Sequence, residues 1–378
     1  MALELDIEEG ASVERSTLDR DSLRLRLEAW LAERLPGAEA VSVPELGAPS
    51  GTGMSSETLL FEAVVREAGA ERREPLVARL APDPRDVPVF PRYDLAAQFR
   101  LIELVGRAGV PAPAVRWLET DPGPLGAPFF VMERVEGRVP PDIPPYPFAG
   151  WVLEASAAER DRLEQGTVEA ICALHAIDLE GAALDFLAFP TSGDTPLRRH
   201  VQNQRDYYAW VIGDGVRHPL IERAFDWIDA HWPAHEGPAV ISWGDSRIGN
   251  VLYRGFEPAA LLDWEMAGPG PRELDLGWLC FMHRFFQDIA EGAGQPGLPD
   301  FLRLPDAAAR YEKRSGHAPR DLLWYTAYAA LRHAIIMARI HRRMQHFGQA
   351  EPPVDPDDRI PHRARLEGLI DGSWSPLD

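Results

Sequence analysis

The chain has 378 residues, 45% of them hydrophobic, which is enough for a large core and suits two lobes better than one. Its formal net charge of -20 argues against nonspecific binding to nucleic acid or to an anionic membrane. No apolar run reaches the length of a membrane span, and the acidic start, Met1 to Glu9, lacks the basic segment of a signal peptide, so a cytoplasmic protein is expected.

In chain order, residues 1–19 are polar and read as a flexible N-terminus. Leu23, Leu27, Trp30, Leu31 and Leu35 recur at helical spacing, with Asp21 or Ser22 as cap and Pro36-Gly37 as stop. Three strand-like runs follow: Ala40 to Leu46, Thr58 to Val65 and Leu76 to Leu80. Between the first two lies a turn of small residues in which Gly51, Gly53, Ser55 and Ser56 could bring backbone N–H groups and hydroxyls to phosphates, although such residues punctuate any hairpin. Asp94 to Ala108 reads as a helix. Ala114 to Glu119 and Pro128 to Glu136 read as two further strands. At the end of the second, Met132 beside the free backbone of Glu133 to Val135 offers an apolar surface and a donor–acceptor edge, as adenine requires. The same residues are core material.

Arg138 to Phe148 is proline-rich and reads as a rigid connector. From there the pattern turns helical. Ser156-x-x-Glu159 is a capping box, and Leu163, Ala170, Ile171 and Leu174 continue one face towards His175, read as a structural hydrogen-bonder. Leu197 to Ile212 and Leu220 to Trp232 are helices. After the stretch discussed next come a hard turn, Gly268-Pro-Gly-Pro271, and two apolar helices, Leu276 to Ile289 and Leu322 to Ile340. Cys172 and Cys280 lie in apolar helical stretches and read as buried free thiols. The Pro- and Asp-rich end, 351–378, reads as a tail that wraps the surface or stays mobile.

The chemistry concentrates in V-I-S-W-G-D-S-R-I-G-N-V-L-Y-R-G-F-E-P-A-A-L-L-D-W-E, Val240 to Glu265. Two short apolar runs, read as neighbouring strands, flank Asp245 and Asn250, and Asp263 follows the second run. Phosphoryl transfer needs one acid to take the proton of an attacking hydroxyl, and a second acid with an amide oxygen to hold Mg²⁺ against the phosphates. The protein-kinase catalytic loop uses the same Asp-x-x-x-x-Asn spacing with a later metal-binding Asp. Asp245 is therefore the candidate base, and Asn250 and Asp263 the candidate metal ligands. Turn and strand-end capping roles are the plainer alternative for all three.

W-G-D-S-R-I-G-N-V-L-Y followed by L-L-D-W-E resembles the aminoglycoside phosphotransferase family, which includes choline-kinase-like and acyl-CoA-dehydrogenase-associated kinase-like members. The last are the nearest in pattern. The usual loop of the family begins His-Gly-Asp, and here Trp243 stands for the His. The resemblance implies an α+β, two-lobed, protein-kinase-like fold. Its N-terminal nucleotide-binding lobe, 20–135, would carry a five-stranded antiparallel sheet, and a mostly helical catalytic and acceptor lobe would span 136–350. It implies ATP and Mg²⁺ as cofactors and a hydroxylated small molecule as acceptor.

Where related chains carry a phosphate-contacting Lys on the third strand, this chain has Arg79; its one lysine is Lys313. Gln98 stands where the partner Glu would be, and Glu103 is an alternative partner. Arg keeps the charge with a different geometry. Arg247 is the candidate for stabilising the transferring phosphate. Glu265 reads either as a water-mediated metal contact or as a salt bridge, and Asp275 as a brace for the loop. The implied acceptors range from aminoglycosides and choline-like amines to sugars and hydroxyacyl thioesters. Asp288 and Glu291 could hold an ammonium, but scattered surface acids are the default. The Trp-Gly-Asp variant and the few acids in the acceptor helices tilt the expectation away from antibiotics. The rival expectation is a nucleotide-binding pseudokinase, motivated by the missing Lys and Glu.

Overall fold

The computed structural model describes residues 20–47, 57–179 and 184–377. Helix α1 (Arg20–Arg34) buries Leu23, Leu27, Trp30 and Leu31 along one stripe. That stripe covers one face of an antiparallel sheet made of β1 (Ala40–Ser42), β2 (Leu46–Gly47), β3 (Glu57–Glu67), β4 (Ala70–Leu80), β5 (Val115–Glu119) and β6 (Phe129–Glu133). The order is β1-β3-β4-β6-β5, with β2 also on β3. The expected strand from Ala40 to Leu46 is thus split in two. Pro44 cannot donate to a ladder, and the Val43 amide turns away to the Glu28 carboxylate at 2.8 Å. Both pieces share one position beside β3, so five sheet positions remain.

Period-two alternation gives the sheet its two faces. Leu76, Ala78 and Leu80 join Leu59, Phe61, Phe129 and Val131 on the α1 side. Val77, Phe130 and Met132 point the other way, onto Leu101, Ile102 and Val105 of α2 (Leu95–Arg107), whose N-cap is Asp94. Arg79 shares the side of Val77, and so faces the rest of the molecule.

The remaining lobe contains α3 (Trp151–Glu154), α4 (Ala157–His175), α5 (Pro196–Val211), α6 (Pro219–Ala230), α7 (Glu273–Gly292), α8 (Leu304–Ser315), α9 (Leu322–His346) and α10 (Arg363–Asp371). The capping box at Ser156 and Glu159 starts α4. One apolar core runs from the α2 side of the sheet into these helices. Helices α8 and α10 were not legible as helices. Alternating charge hides the short apolar stripe of α8 at Leu304, Ala307, Ala308 and Tyr311. In the tail, Leu366 and Leu369 of α10 are buried, so this segment is part of the core rather than a loose end.

The stretch around the candidate loop forms two ribbons. Strand β7 (Ala239–Ser242) pairs with β10 (Gly268–Pro271), and β8 (Val251–Arg254) pairs with β9 (Glu257–Leu261). The two runs flanking the loop therefore belong to different ribbons and are not paired neighbours. Gly268–Pro271, expected as a bare turn, is an edge strand, a place where proline is tolerated. Cys172 and Cys280 are free and buried, and burial pushes the Cys172 thiol up to about 11. Among the described residues no helix is long and apolar enough to cross a membrane.

Candidate active site

The loop from β7 to β8 hangs on one buried carboxylate. Asp275, in the first turn of α7, accepts the Ser242 hydroxyl at 2.9 Å and the Gly244 amide at 3.0 Å on Oδ1. Its Oδ2 accepts the Trp243 amide and His175 Nε2, both at 2.8 Å. Burial opposes this charge, but the bonds from His175 and the two amides hold its pKa below the ordinary carboxylate value. His175 Nδ1 meets the Tyr311 hydroxyl at 2.7 Å, so this histidine is a structural link. Trp243 is buried, and its indole donates to the Leu262 carbonyl at 2.8 Å. The ring that replaces the usual His thus ties the loop to the exit of β9. Gly244 has φ +90°, and a Cβ there would lie 2.2 Å from the Met266 carbonyl oxygen, so the turn admits glycine alone.

These anchors present Asp245 in a defined pose. Its Oδ1 accepts the Trp278 indole N–H at 2.7 Å, and its Oδ2 accepts Asn250 Nδ2 at 2.7 Å and Arg247 Nε at 3.3 Å. Arg247 also donates through Nη1 to Asp142 at 2.6 Å. Burial disfavours the charge of Arg247, but Asp245 and Asp142 outweigh it and raise its pKa. A Cβ on Gly249 would sit 2.3 Å from Arg247 Nη1, so glycine at 249 makes room for this ion pair.

Asp263 follows β9 at φ +59°, a left-handed conformation uncommon for a residue with a Cβ and one that often marks functional strain. The adjacent Leu262 amide donates to the Asn250 carbonyl at 2.8 Å, which brings Asp263 beside the loop. Arg79 reaches across from β4 to Asp263 at 3.0 Å and to Glu265 at 3.7 Å. Burial lowers the pKa of Arg79, but these two carboxylates produce a net rise.

The structure thus brings Arg79, Asp245, Arg247, Asn250 and Asp263 into one cluster. The other candidates fall elsewhere. Gly51, Gly53, Ser55 and Ser56 lie outside the described residues. Gln98 is buried on α2 and lines a cavity of about 450 Å³ together with Trp264 and Glu265. Glu103, the alternative partner for Arg79, is instead bonded to Arg107 at 2.7 Å. Met132 is buried in β6, as core, and Val135 is half-buried. The expectation of free backbone from Glu133 to Val135 needs correction at the first two amides. Glu133 N–H donates to the Ala114 carbonyl at 2.8 Å and Arg134 N–H to the Pro75 carbonyl at 3.0 Å, because the sheet edge closes there. Asp288 and Glu291 hold Arg284 at 2.6 Å each, and Asp288 also holds Arg365 at 2.7 Å, so both are surface ion-pair residues.

Three residues in contact with the loop were not singled out as such from the sequence. Trp278 lies in the apolar run Leu276 to Ile289 with Phe281, Phe285 and Phe286, a pattern that by itself signals core. Asp142 sits in the proline-rich connector, where an acid among prolines was the available signal. Arg332 is 1% exposed in the apolar run of α9, donates to the Gly244 carbonyl at 3.1 Å and stacks 4.5 Å from the centre of the Trp278 ring.

The comparisons with known proteins agree with this architecture. Over 265 residues the chain is 27% identical to acyl-CoA dehydrogenase family member 10 of Mus musculus, covering 66% of this chain and 23% of that protein. It is also 27% identical over 264 residues to the Arabidopsis thaliana protein named probable acyl-CoA dehydrogenase IBR3, covering 65% of this chain and 31% of that one. The match therefore spans about a quarter to a third of those relatives' length. Among solved structures, an aminoglycoside-phosphotransferase-like protein from Ralstonia eutropha superposes with a TM-score of 0.63 at 21% identity, covering 92% of this chain and 96% of that one. Aminoglycoside phosphotransferase APH(4)-Ia, in a ternary complex with AMP-PNP and hygromycin B, gives 0.52 at 16% identity, with 92% and 98% covered. At these identities the likeness shows the kinase-like fold. The sequence profile described as "Phosphotransferase enzyme family" matches residues 56–304, about two thirds of the chain. The chain belongs to the phosphotransferase enzyme family.

Proposed function

We propose that the chain is an ATP-dependent phosphotransferase acting on a hydroxyl of a small molecule. The observation that carries this reading is Asp245, held on both carboxylate oxygens by Trp278, Asn250 and Arg247 and placed beside Asp263. A carboxylate gripped in this way is fixed in orientation, which phosphoryl transfer demands more than it demands strong basicity. In the reaction the acceptor oxygen bonds to the γ-phosphorus, the bond to the bridging oxygen breaks, ADP leaves, and the hydroxyl proton passes to Asp245. Arg247, fixed by Asp142, supplies positive charge where negative charge accumulates.

The donor set fits Mg²⁺. Asn250 uses its amide nitrogen on Asp245, which leaves its Oδ1 as the coordinating atom, and Asp263 supplies a carboxylate. Both are hard oxygen ligands of the kind Mg²⁺ takes together with phosphates. Bound there, the ion would neutralise phosphate charge. Ternary complexes of structural neighbours with AMP-PNP and hygromycin B, and with ATP and streptomycin, support a nucleotide and a small-molecule acceptor as substrates. Arg79 brings a cation of the sheet lobe to this centre, and the nucleotide would share it with Asp263.

One observation favours a second reading, a nucleotide-binding pseudokinase. The Arg79–Asp263 ion pair places a fixed cation on the proposed metal ligand. The two readings separate in an ADP-release assay with Mg-ATP and a panel of hydroxylated compounds. The phosphotransferase reading predicts acceptor-dependent release, lowered by about a thousandfold in Asp245→Asn. Nucleotide binding without turnover on any acceptor would favour the pseudokinase.

A further inference from the structure

We infer that the acceptor occupies the aromatic-walled cavity beside the loop, and that the part it inserts is apolar and uncharged rather than polycationic. This rests on the phosphotransferase reading. The cavity, about 450 Å³, lies between α2, residues 186–190, α5 and the segment 264–267. That volume is in the range of small-molecule sites. It abuts the reacting centre on two sides. Trp264 and Glu265 in its wall directly follow Asp263, and Arg332 in its wall bonds the carbonyl of Gly244, the residue before Asp245.

The wall is rich in rings: Phe90, Phe186, Phe189, Tyr207, Trp210 and Trp264. Its polar groups include the amides of Gln98, Asn203 and Gln204. A polycation would need carboxylates without cations of their own, and the wall is poor in them. Asp94 is bonded to Arg92, itself a wall residue. Glu265 faces Arg79 at 3.7 Å. Asp206 accepts the Gln202 amide at 2.8 Å at the exposed rim. Against them stands Arg332, a buried cation whose Nε–H has no hydrogen-bond partner among the described residues. Its charge repels an ammonium. Stripping water from several ammonium groups here would go uncompensated, whereas apolar surface gains about 25 cal/mol per Å² buried.

The test uses the full chain and two kinds of probe, 2-(2-naphthyl)ethanol and the polycations hygromycin B and streptomycin, titrated by calorimetry. Mg·AMP-PNP binding is measured separately in every sample. We expect saturable binding of the naphthyl alcohol, weakened about tenfold in Trp210→Ala and in Phe186→Ala, with nucleotide binding unchanged. Two variants are used because either side chain also packs against its neighbours. The polycations should bind at least about tenfold more weakly than the alcohol. Tighter binding of either polycation, absence of alcohol binding, or alcohol binding indifferent to both variants would overturn the inference. Loss of nucleotide binding in the unmodified chain would instead overturn the phosphotransferase reading.

Discussion

On the helical side of the cleft, Asp245 is fixed by donors from three residues, and the loop that carries it is bonded three times to the Asp275 carboxylate, which His175 also holds. On the sheet side, the described structure offers Arg79, held through ion pairs to acids of the opposite lobe. The two sides also depart from the family pattern differently. On the helical side, Trp243 stands where the resemblance expects a His, and its indole ties the loop to the Leu262 carbonyl. On the sheet side, Arg79 and Gln98 stand where the resemblance expects a Lys–Glu pair, and Arg79 pairs with Asp263. Where many bonds converge, one replacement is absorbed. Where one pair carried the contact, replacement redirects it.

That contrast can be broken by substitution. The largest effect is expected at Asp245: Asp245→Asn should lower acceptor-dependent ADP release by about a thousandfold while nucleotide binding stays within about twofold. Next comes Asp275→Ala, which leaves the His175 imidazole and two backbone amides buried without their acceptor. Breaking such a buried set costs about 3–5 kcal/mol, read as a lower denaturant midpoint. Trp278→Phe keeps the ring and removes only the donor to Asp245. It should lower kcat by about 10- to 100-fold, with the KM for ATP unchanged. A merely structural role for Trp278 would show as lost stability with kcat intact.

Acid should separate the two sides more gently. Burial depresses His283 and His362 to about 4, and His200 and His333 lie well below the ordinary value for the same first cause. All are in the helical lobe, and no histidine precedes His175. Between pH 6.5 and 4 the unfolded chain takes up protons that the folded chain refuses. Stability therefore falls as pH falls, by up to about 1.4 kcal/mol per pH unit for each such histidine. The low pKa of Asp275 does not offset this, since its contribution is present above its unfolded value and is lost only at still lower pH. Hydrogen exchange at pH 7.5 and pH 5 should show faster opening of α7 and α9, with a smaller change in β3 and β4. Equal acceleration in both would contradict the assignment.

The sequence was most legible where one pattern had one physical cause. The capping box at Ser156, the stripe of α1 and the alternation of Leu76 to Leu80 report local geometry, and the structure follows them. The Asp245, Asn250 and Asp263 cluster was legible from spacing alone. What stayed hidden depended on distant partners. Trp278 looks like core because it is core, and its one polar atom matters only once α7 lies under the loop. Arg79 reads as a phosphate contact because it stands where related chains carry the Lys, but its ion pairs with Asp263 and Glu265 join residues far apart in the chain. Pairing also escaped prediction: β7 and β9 look like neighbours in sequence, yet each takes its own partner.

The central claim is best tested by calorimetric titration of AMP-PNP with and without Mg²⁺, in the unmodified chain and in Asp263→Ala. A metal-assisted nucleotide site on Asn250 and Asp263 predicts binding that strengthens at least about tenfold with Mg²⁺, and loss of that gain in the variant. Binding of equal strength with and without the ion, or a full Mg²⁺ effect retained in Asp263→Ala, would contradict it.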